Sequence, residues 1–321
     1  MRSALRAESR RLLSRRITLV AVLLLLGMIV LFQLQVNSLV TPPTAAEIAQ
    51  NQREYDDYVR DWDEHHEEWE ADCVRSGGSQ QECAEPRPEL SEWGLAAEPF
   101  ADVVTDALSF AVYLAGLVLF VAMASFIGAE TTTGALANWL TFIPDRGTVM
   151  VSKLAVVAAF SALAGAGVTF VTVGFSSVVT ALHGQPLTGL DQVLATAGRG
   201  VIVAVVFGVV GFCVGLLTGS TGASVGVLLG AIFAIYVRMA LSFMSRWAER
   251  LAPWSPEVNL AAIIDGGTTY PVSSGPGAPS DSSSSYVEKP LGLVHGLGYW
   301  AVLLAAHIAV TWLLFRRRDV V

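Results

Sequence analysis

The chain has 321 residues, of which 53% are hydrophobic and 15% charged, with a formal net charge of -8 and a mean hydropathy of +0.54. That much apolar surface cannot be hidden inside a water-soluble domain of this length, so the composition excludes one and points to an integral membrane protein.

Residues 1–16 carry Arg2, Arg6, Arg10, Arg11, Arg15 and Arg16 and read as an amphipathic segment. Six apolar runs follow, each long enough for a hydrocarbon core of about 30 Å, which takes roughly 20 helical residues. They lie near Ile17–Val36, Val104–Ile127, Leu154–Val179, Val201–Thr218, Ala223–Phe243 and Leu291–Phe315. None alternates as a barrel strand does, so the expected fold class is all-α with six transmembrane helices. Arg316, Arg317 and Arg318 follow the last run, and with the N-terminal arginines they predict both termini cytoplasmic. The first run is longer than a signal-peptide core and no small-x-small site closes it, so it is expected to stay as an anchor.

This topology divides the chain into residues 1–16 inside, helix 1 at 17–40, an outer segment at 41–103, helix 2 at 104–127 and an inner segment at 128–153. Helices 3–5 then occupy 154–244, a second outer segment 245–290, helix 6 291–315 and an inner tail 316–321. The first outer segment is acidic, with 17 Asp or Glu against 4 Arg between Thr41 and Asp102, which argues against nucleic acid as a partner. Thr44 and Glu47 have capping-box spacing after Pro42-Pro43, and Ile48, Tyr55, Tyr58, Val59, Trp62 and Trp69 recur on one helical face. A helix of some eight turns should rise there and end near Gly77-Gly78. Cys73 and Cys83 follow, outside the membrane, where a disulfide-closed loop is favoured over two free thiols. His65-His66 among Asp61, Asp63, Glu67 and Glu68 falls short of a metal shell, because adjacent residues point to different faces; a solvated acidic face is expected, and no metal.

In the second outer segment Trp247, Leu251, Trp254, Leu260, Ile263 and Ile264, broken by Pro253 and Pro256, suit an interfacial or re-entrant helix. Ser273–Ser285, rich in Gly, Pro and Ser, reads as a disordered loop. Within the spans, Gly208, Gly211, Gly215, Gly219, Gly226, Gly230, Gly165 and Gly167 either offer close helix contacts, inside the chain or between copies, or reflect the general enrichment of glycine in membrane helices. Asp106, Arg238 and His307 are the ionisable groups there. They line a substrate path, with Asp106 and Arg238 paired near its outer mouth, or they make ordinary interhelical polar contacts.

The inner segment from Gly128 to Lys153 is the most distinctive. Gly134 to Phe142 can form a helix too short to span, stopped by Pro144, with Leu136, Trp139, Leu140 and Ile143 as an apolar side for the bilayer or a partner. Gly-x-Glu at Gly128 and Glu130, then Gly134, Leu136, Leu140, Pro144, Arg146 and a lysine opening the next span at Lys153, together resemble the coupling segment of type-2 ABC exporter permeases. The N-terminal arginine-rich segment and six spans fit the same layout. The resemblance implies that Gly134–Phe142 seats in a groove of a separate cytoplasmic ATPase, that the N-terminal segment touches the same partner, and that Glu130 links two inner helix ends. It also implies a homodimer or heterodimer of permeases. Asp145 departs from the family, where a hydroxyl or basic residue is common.

Neither lysine of the chain follows a glycine, so no phosphate loop exists and no catalytic residue is assigned. ATP and Mg would be bound by the partner subunit, with no cofactor in this chain. The expectation is a bacterial plasma-membrane permease moving a hydrophobic or amphipathic substrate outward, since arginine-for-lysine usage suggests a high-GC bacterium. The alternatives are an ATP-independent channel, or a scaffold or mechanotransmitter that recruits partners through its acidic outer segment.

Overall fold

A computed structural model describes residues 2–76, 80–84, 86–90, 93–142, 145–242, 246–273 and 286–317. Six helices are long and apolar enough to cross a membrane: α2 (Arg16–Val40), α5 (Phe100–Thr132), α7 (Arg146–Leu182), α8 (Leu190–Thr218), α9 (Thr221–Ser242) and α12 (Leu293–Arg317). Around them lie α1 (Arg2–Leu13), α3 (Ala45–Arg75), α4 (Gln80–Cys83), α6 (Ala135–Phe142), α10 (Arg246–Glu249), a single 3-10 turn at Ala252–Trp254, and α11 (Pro256–Ile264). Most spans extend beyond their apolar runs; α8 begins at Leu190 rather than Val201, the largest extension at any one end.

The expectation of helices alone needs one correction. Strands β1 (Gly267–Ser273) and β2 (Tyr286–Gly292) pair antiparallel, from Gly267 opposite Gly292 to Ser273 opposite Tyr286. They flank the Ser, Gly and Pro run, whose residues 274–285 lie outside the described residues, and they take Leu291 and Gly292 out of the last span.

Helices α5 and α8 form the centre, because glycines let their backbones touch. A Cβ on Gly211 would sit 2.3 Å from the Phe120 carbonyl oxygen, and one on Gly215 would sit 2.7 Å from that of Ala124. On the neighbouring faces, a Cβ on Gly208 would collide with Ser161 of α7, and one on Gly165 would lie 2.6 Å from the Ala204 Cβ. The small-residue faces of the third and fourth spans are therefore used inside the chain. Gly167, Gly226 and Gly230 have nothing within 4 Å, and only 6% of the apolar window of α9 is buried, against 67% in α8. Helix α9 is a peripheral element.

Helix α3 starts at the capping box foreseen for it. The Thr44 hydroxyl accepts from the Glu47 N–H at 3.3 Å, and the Glu47 carboxylate accepts from the Thr44 N–H at 2.7 Å. The chain then folds back along the helix: Trp93 packs edge-on to Tyr55 with ring centroids 5.8 Å apart, and Arg87 pairs with Asp63 at 2.8 Å. The Cys73–Cys83 disulfide closes the far end at 2.06 Å. Gly77 and Gly78, where the helix was expected to stop, lie outside the described residues. His65 bonds within its own helix, 3.0 Å from the Asp61 carbonyl, and no metal-holding cluster occurs among the described residues.

The hydrogen bonds from Thr44 hold the Glu47 carboxyl below its ordinary value of 4.5. A depressed carboxyl stabilises the fold above its unfolded pKa and loses that contribution as pH falls through its folded value. Acidification into and below the ordinary carboxyl range should therefore lower the protection of the first-turn amides of α3, taken relative to the intrinsic exchange rate at each pH, and Glu47→Gln should remove that pH dependence; hydrogen-exchange mass spectrometry reads both. For the core, Gly211→Ala should cost about 1–3 kcal/mol because the clash is with backbone. Gly230→Ala should be neutral or stabilising by about 0.5–1 kcal/mol. Thermal midpoints in detergent check the contrast.

Candidate functional site

The end of the bundle that carries both chain ends also carries the connection between α5 and α7, and three buried charges meet there. Lys153 is 1% exposed, Glu130 2% and Glu8 0%. The Lys153 ammonium donates to Glu130 at 2.6 Å and to Glu8 at 2.8 Å. Arg15 reaches the other oxygen of Glu130 at 3.1 Å and the Ser125 carbonyl at 3.3 Å. Both cations lie over the Phe126 ring, at 5.0 Å for Arg15 and 5.1 Å for Lys153. Arg11 stands 3.9 Å from Glu8.

Local structure places each group. Helix α1 turns Glu8 and Leu12 inward while Arg6 and Arg10 stay exposed, and the Thr18 hydroxyl donates to the Leu12 carbonyl at 2.6 Å across the α1–α2 elbow. Glu130 occupies the last turn of α5, where the helix dipole disfavours an anion, and Lys153 and Arg15 both donate to it there. Lys153 does not open its span. Helix α7 begins at Arg146, which puts Lys153 about 10 Å along it and inside the protein, so it is a buried counter-ion rather than an interfacial anchor.

The short helix α6 follows Gly134, whose φ of +70° lets α5 end and the chain turn. Leu136 is 2% exposed and joins the core cluster that holds Leu12, Met150 and Phe315, with Leu140 packed against it. Leu136 and Leu140, expected to face the bilayer or a partner, are thus turned into the chain's own core. Asn138, Thr141 and Phe142 are exposed, Phe142 at 76%. Ile143, Pro144 and the Trp139 side chain lie outside the described residues.

The remaining residues of the segment have local duties. Gly128 lets the α8–α9 turn approach, since a Cβ there would lie 2.9 Å from the Thr221 nitrogen. The Thr131 hydroxyl lies 2.7 Å from the carbonyls of both Gly128 and Gly219. Asp145 caps α7, accepting from the Gly147 N–H at 2.9 Å and the Thr148 hydroxyl at 2.6 Å. Arg146 donates to the carbonyls of Phe315 and Arg316 at 3.1 and 3.3 Å, closing the last turn of α12.

At the opposite end the expected pairing of Asp106 with Arg238 is not formed. Arg238 grips Glu257 of α11 with two bonds, 2.6 and 3.1 Å, because the re-entrant segment brings a carboxylate down beside α9. Asp106 is exposed, near Asp265, whose carboxyl is raised by burial and by that neighbouring charge, against the Ser109 hydroxyl and the cation of Arg199. His307 bonds the Leu303 carbonyl of its own helix at 2.8 Å. These three residues do not converge on one site. Ile263 and Ile264 of α11 are fully buried against the bundle, while Trp247 and Trp254 remain exposed at 66% and 64%.

No family model, curated protein or solved structure matches the chain. Fold and site define a helical protein that has, among the described residues, six helices long and apolar enough to cross a membrane, with a charge-paired junction at the end where α1 and the end of α12 lie.

Removing one partner of a buried ion pair costs about 3–5 kcal/mol, because the other charge is left without compensation. Lys153→Met should therefore lower the thermal midpoint sharply, and Lys153→Met combined with Glu8→Gln and Glu130→Gln should recover much of that loss. Glu8→Gln alone should expose the Arg10–Arg11 bonds of α1 to trypsin while leaving the rest of the chain intact.

Proposed function

We propose that the chain is the permease subunit of an ATP-driven ABC exporter in a bacterial plasma membrane. A separate ATPase, binding ATP and Mg, docks where α6 and α1 lie. Both termini are then cytoplasmic, α3 and the β hairpin lie outside, and two permeases, identical or similar, form the transport core. The substrate is hydrophobic or amphipathic.

The observation that carries this reading is the junction of Lys153, Glu130, Glu8 and Arg15, which ties α1, α5 and α7 together beside a short helix whose Asn138, Thr141 and Phe142 are exposed. A surface that receives force needs such stiffness behind it. An ordinary loop between spans has no use for three buried charges, which are costly to desolvate. The resemblance of the Gly128–Lys153 segment to the coupling segment of type-2 ABC exporter permeases supports the same reading.

Purification from native membranes in mild detergent should recover a separate ATP-hydrolysing protein in stoichiometric amount. Asn138→Arg with Phe142→Ala should abolish that recovery while the permease stays in the membrane with an unchanged thermal midpoint. Glu130→Gln should uncouple, lowering ATP-dependent transport in proteoliposomes by at least about tenfold for the loss of a charged hydrogen bond worth about 1.5–3 kcal/mol. Full recovery of function without any ATPase would favour a channel or scaffold instead.

A further inference from the structure

Three described arginines surround the end of α12, and they are differently engaged. Arg146 spends its guanidinium on the carbonyls of Phe315 and Arg316. Arg316 lies 5.8 Å over the Trp312 ring and acts on the Asp145 carboxylate. Arg317 pairs with no carboxylate among the described residues, and it lines a groove of about 280 Å³ between the ends of α8 and α12. The other walls are Leu216, Leu217, Thr311, Leu314 and Phe315.

We propose that this groove is a binding site for an anionic phospholipid, whose acyl chain lies along Leu216, Leu217 and Leu314 and whose phosphate meets the Arg317 guanidinium. Three observations select that occupant. The groove lies within about two turns of the ends of both spans, α8 ending at Thr218 and α12 at Arg317, which is near the boundary between headgroups and acyl chains. Its volume falls just below the range of roughly 300–1,000 Å³ for small-molecule pockets, so it takes part of an extended chain rather than an enclosed ligand. The one cation among the lining residues, Arg317, is exposed while the other walls are almost wholly apolar, which matches a molecule with one charged end. A guanidinium also binds a phosphate through two parallel hydrogen bonds, which a zwitterionic headgroup's own cation opposes.

The site joins α8 to α12, a helix otherwise buried over only 11% of its apolar window.

The test uses the full chain, reconstituted in phosphatidylcholine vesicles containing phosphatidylglycerol, then released into mild detergent and weighed by native mass spectrometry. The wild type should retain phosphatidylglycerol in preference to phosphatidylcholine. Arg317→Gln should reduce the retained anionic lipid about fivefold, the value of one basic residue at a membrane surface. Arg317→Lys should restore most of it, which a folding defect would not allow. Leu314→Trp, which fills the groove and keeps the charge, should also reduce retention. Equal retention by wild type and Arg317→Gln would overturn the proposal. So would undiminished retention by Leu314→Trp, or displacement of the lipid by inorganic phosphate at comparable concentration, since the groove would then contribute nothing.

Discussion

Lys153 is the only lysine or arginine among the described residues that is buried, and most of this end of the bundle depends on it. Two carboxylates with almost no access to water would repel each other across α1 and α5 without a cation between them. With the ammonium in place, each anion has a hydrogen bond shorter than 3 Å, and the pairing offsets part of the cost of desolvation. Because apolar residues of similar volume often stabilise as well as a buried ion pair, stability alone does not account for the arrangement. Register does. Lys153 stands two turns along α7 and Glu130 in the last turn of α5, so their bond fixes how far one helix has slid past the other, and Glu8 fixes α1 against both.

The rest of the junction follows from that fixed register. With α5 ending at a set height, Gly134 can turn the chain into α6 and deliver Leu136 to the cluster it shares with Leu12 and Phe315. With α7 starting at a set height, Asp145 caps it and Arg146 reaches the last carbonyls of α12. Gly128 and Thr131 then hold the α8–α9 turn against the same stretch of α5. One segment of about twenty-six residues thereby touches α1, α5, α7, α8, α9 and α12 near a single end.

Much of this was legible in the sequence, and the gaps have physical reasons. The six spans stood out because each is a long apolar run, and the start of α3 because a capping box is a local pattern. The length of α8 did not, since Asp191, Gln192 and Arg199 dilute the hydropathy of a stretch where Val193, Thr196 and Gly200 are nevertheless buried. The strands escaped because β1 contains Pro271 and β2 contains Pro290, residues that argue against a strand unless the ladder is an isolated pair. Glu130 and Lys153 were visible as members of a spaced motif. Glu8 was hidden among arginines, although it is the only acidic residue before the first span, and a lone carboxylate in so basic a helix was the available signal. Glu257 was missed for another reason: nothing in local sequence tells how deeply a re-entrant helix sits, so its partnership with Arg238 depends on tertiary placement.

Stiffness and looseness are unevenly distributed, and the distribution has a mechanical sense. Helices α5 and α8 touch backbone to backbone through Gly211 and Gly215, and α5 is locked to α7 and α1 by the ion junction, so these four elements resist relative sliding. Helix α9 is held mainly at its two ends, by the turn beside Gly128 and Thr131 and by the grip of Arg238 on Glu257. A force applied at the exposed side of α6 would therefore be carried by α5 and α7 together rather than dissipated in α6 itself. Since α9 shares one attachment with α5 and the other with α11, movement of α5 relative to α11 must tilt α9 or break its far bond. The Arg238–Glu257 pair, in which Nε and one terminal nitrogen both donate to Oε1 at the opposite end from Lys153, is then the contact at which such a displacement would be felt.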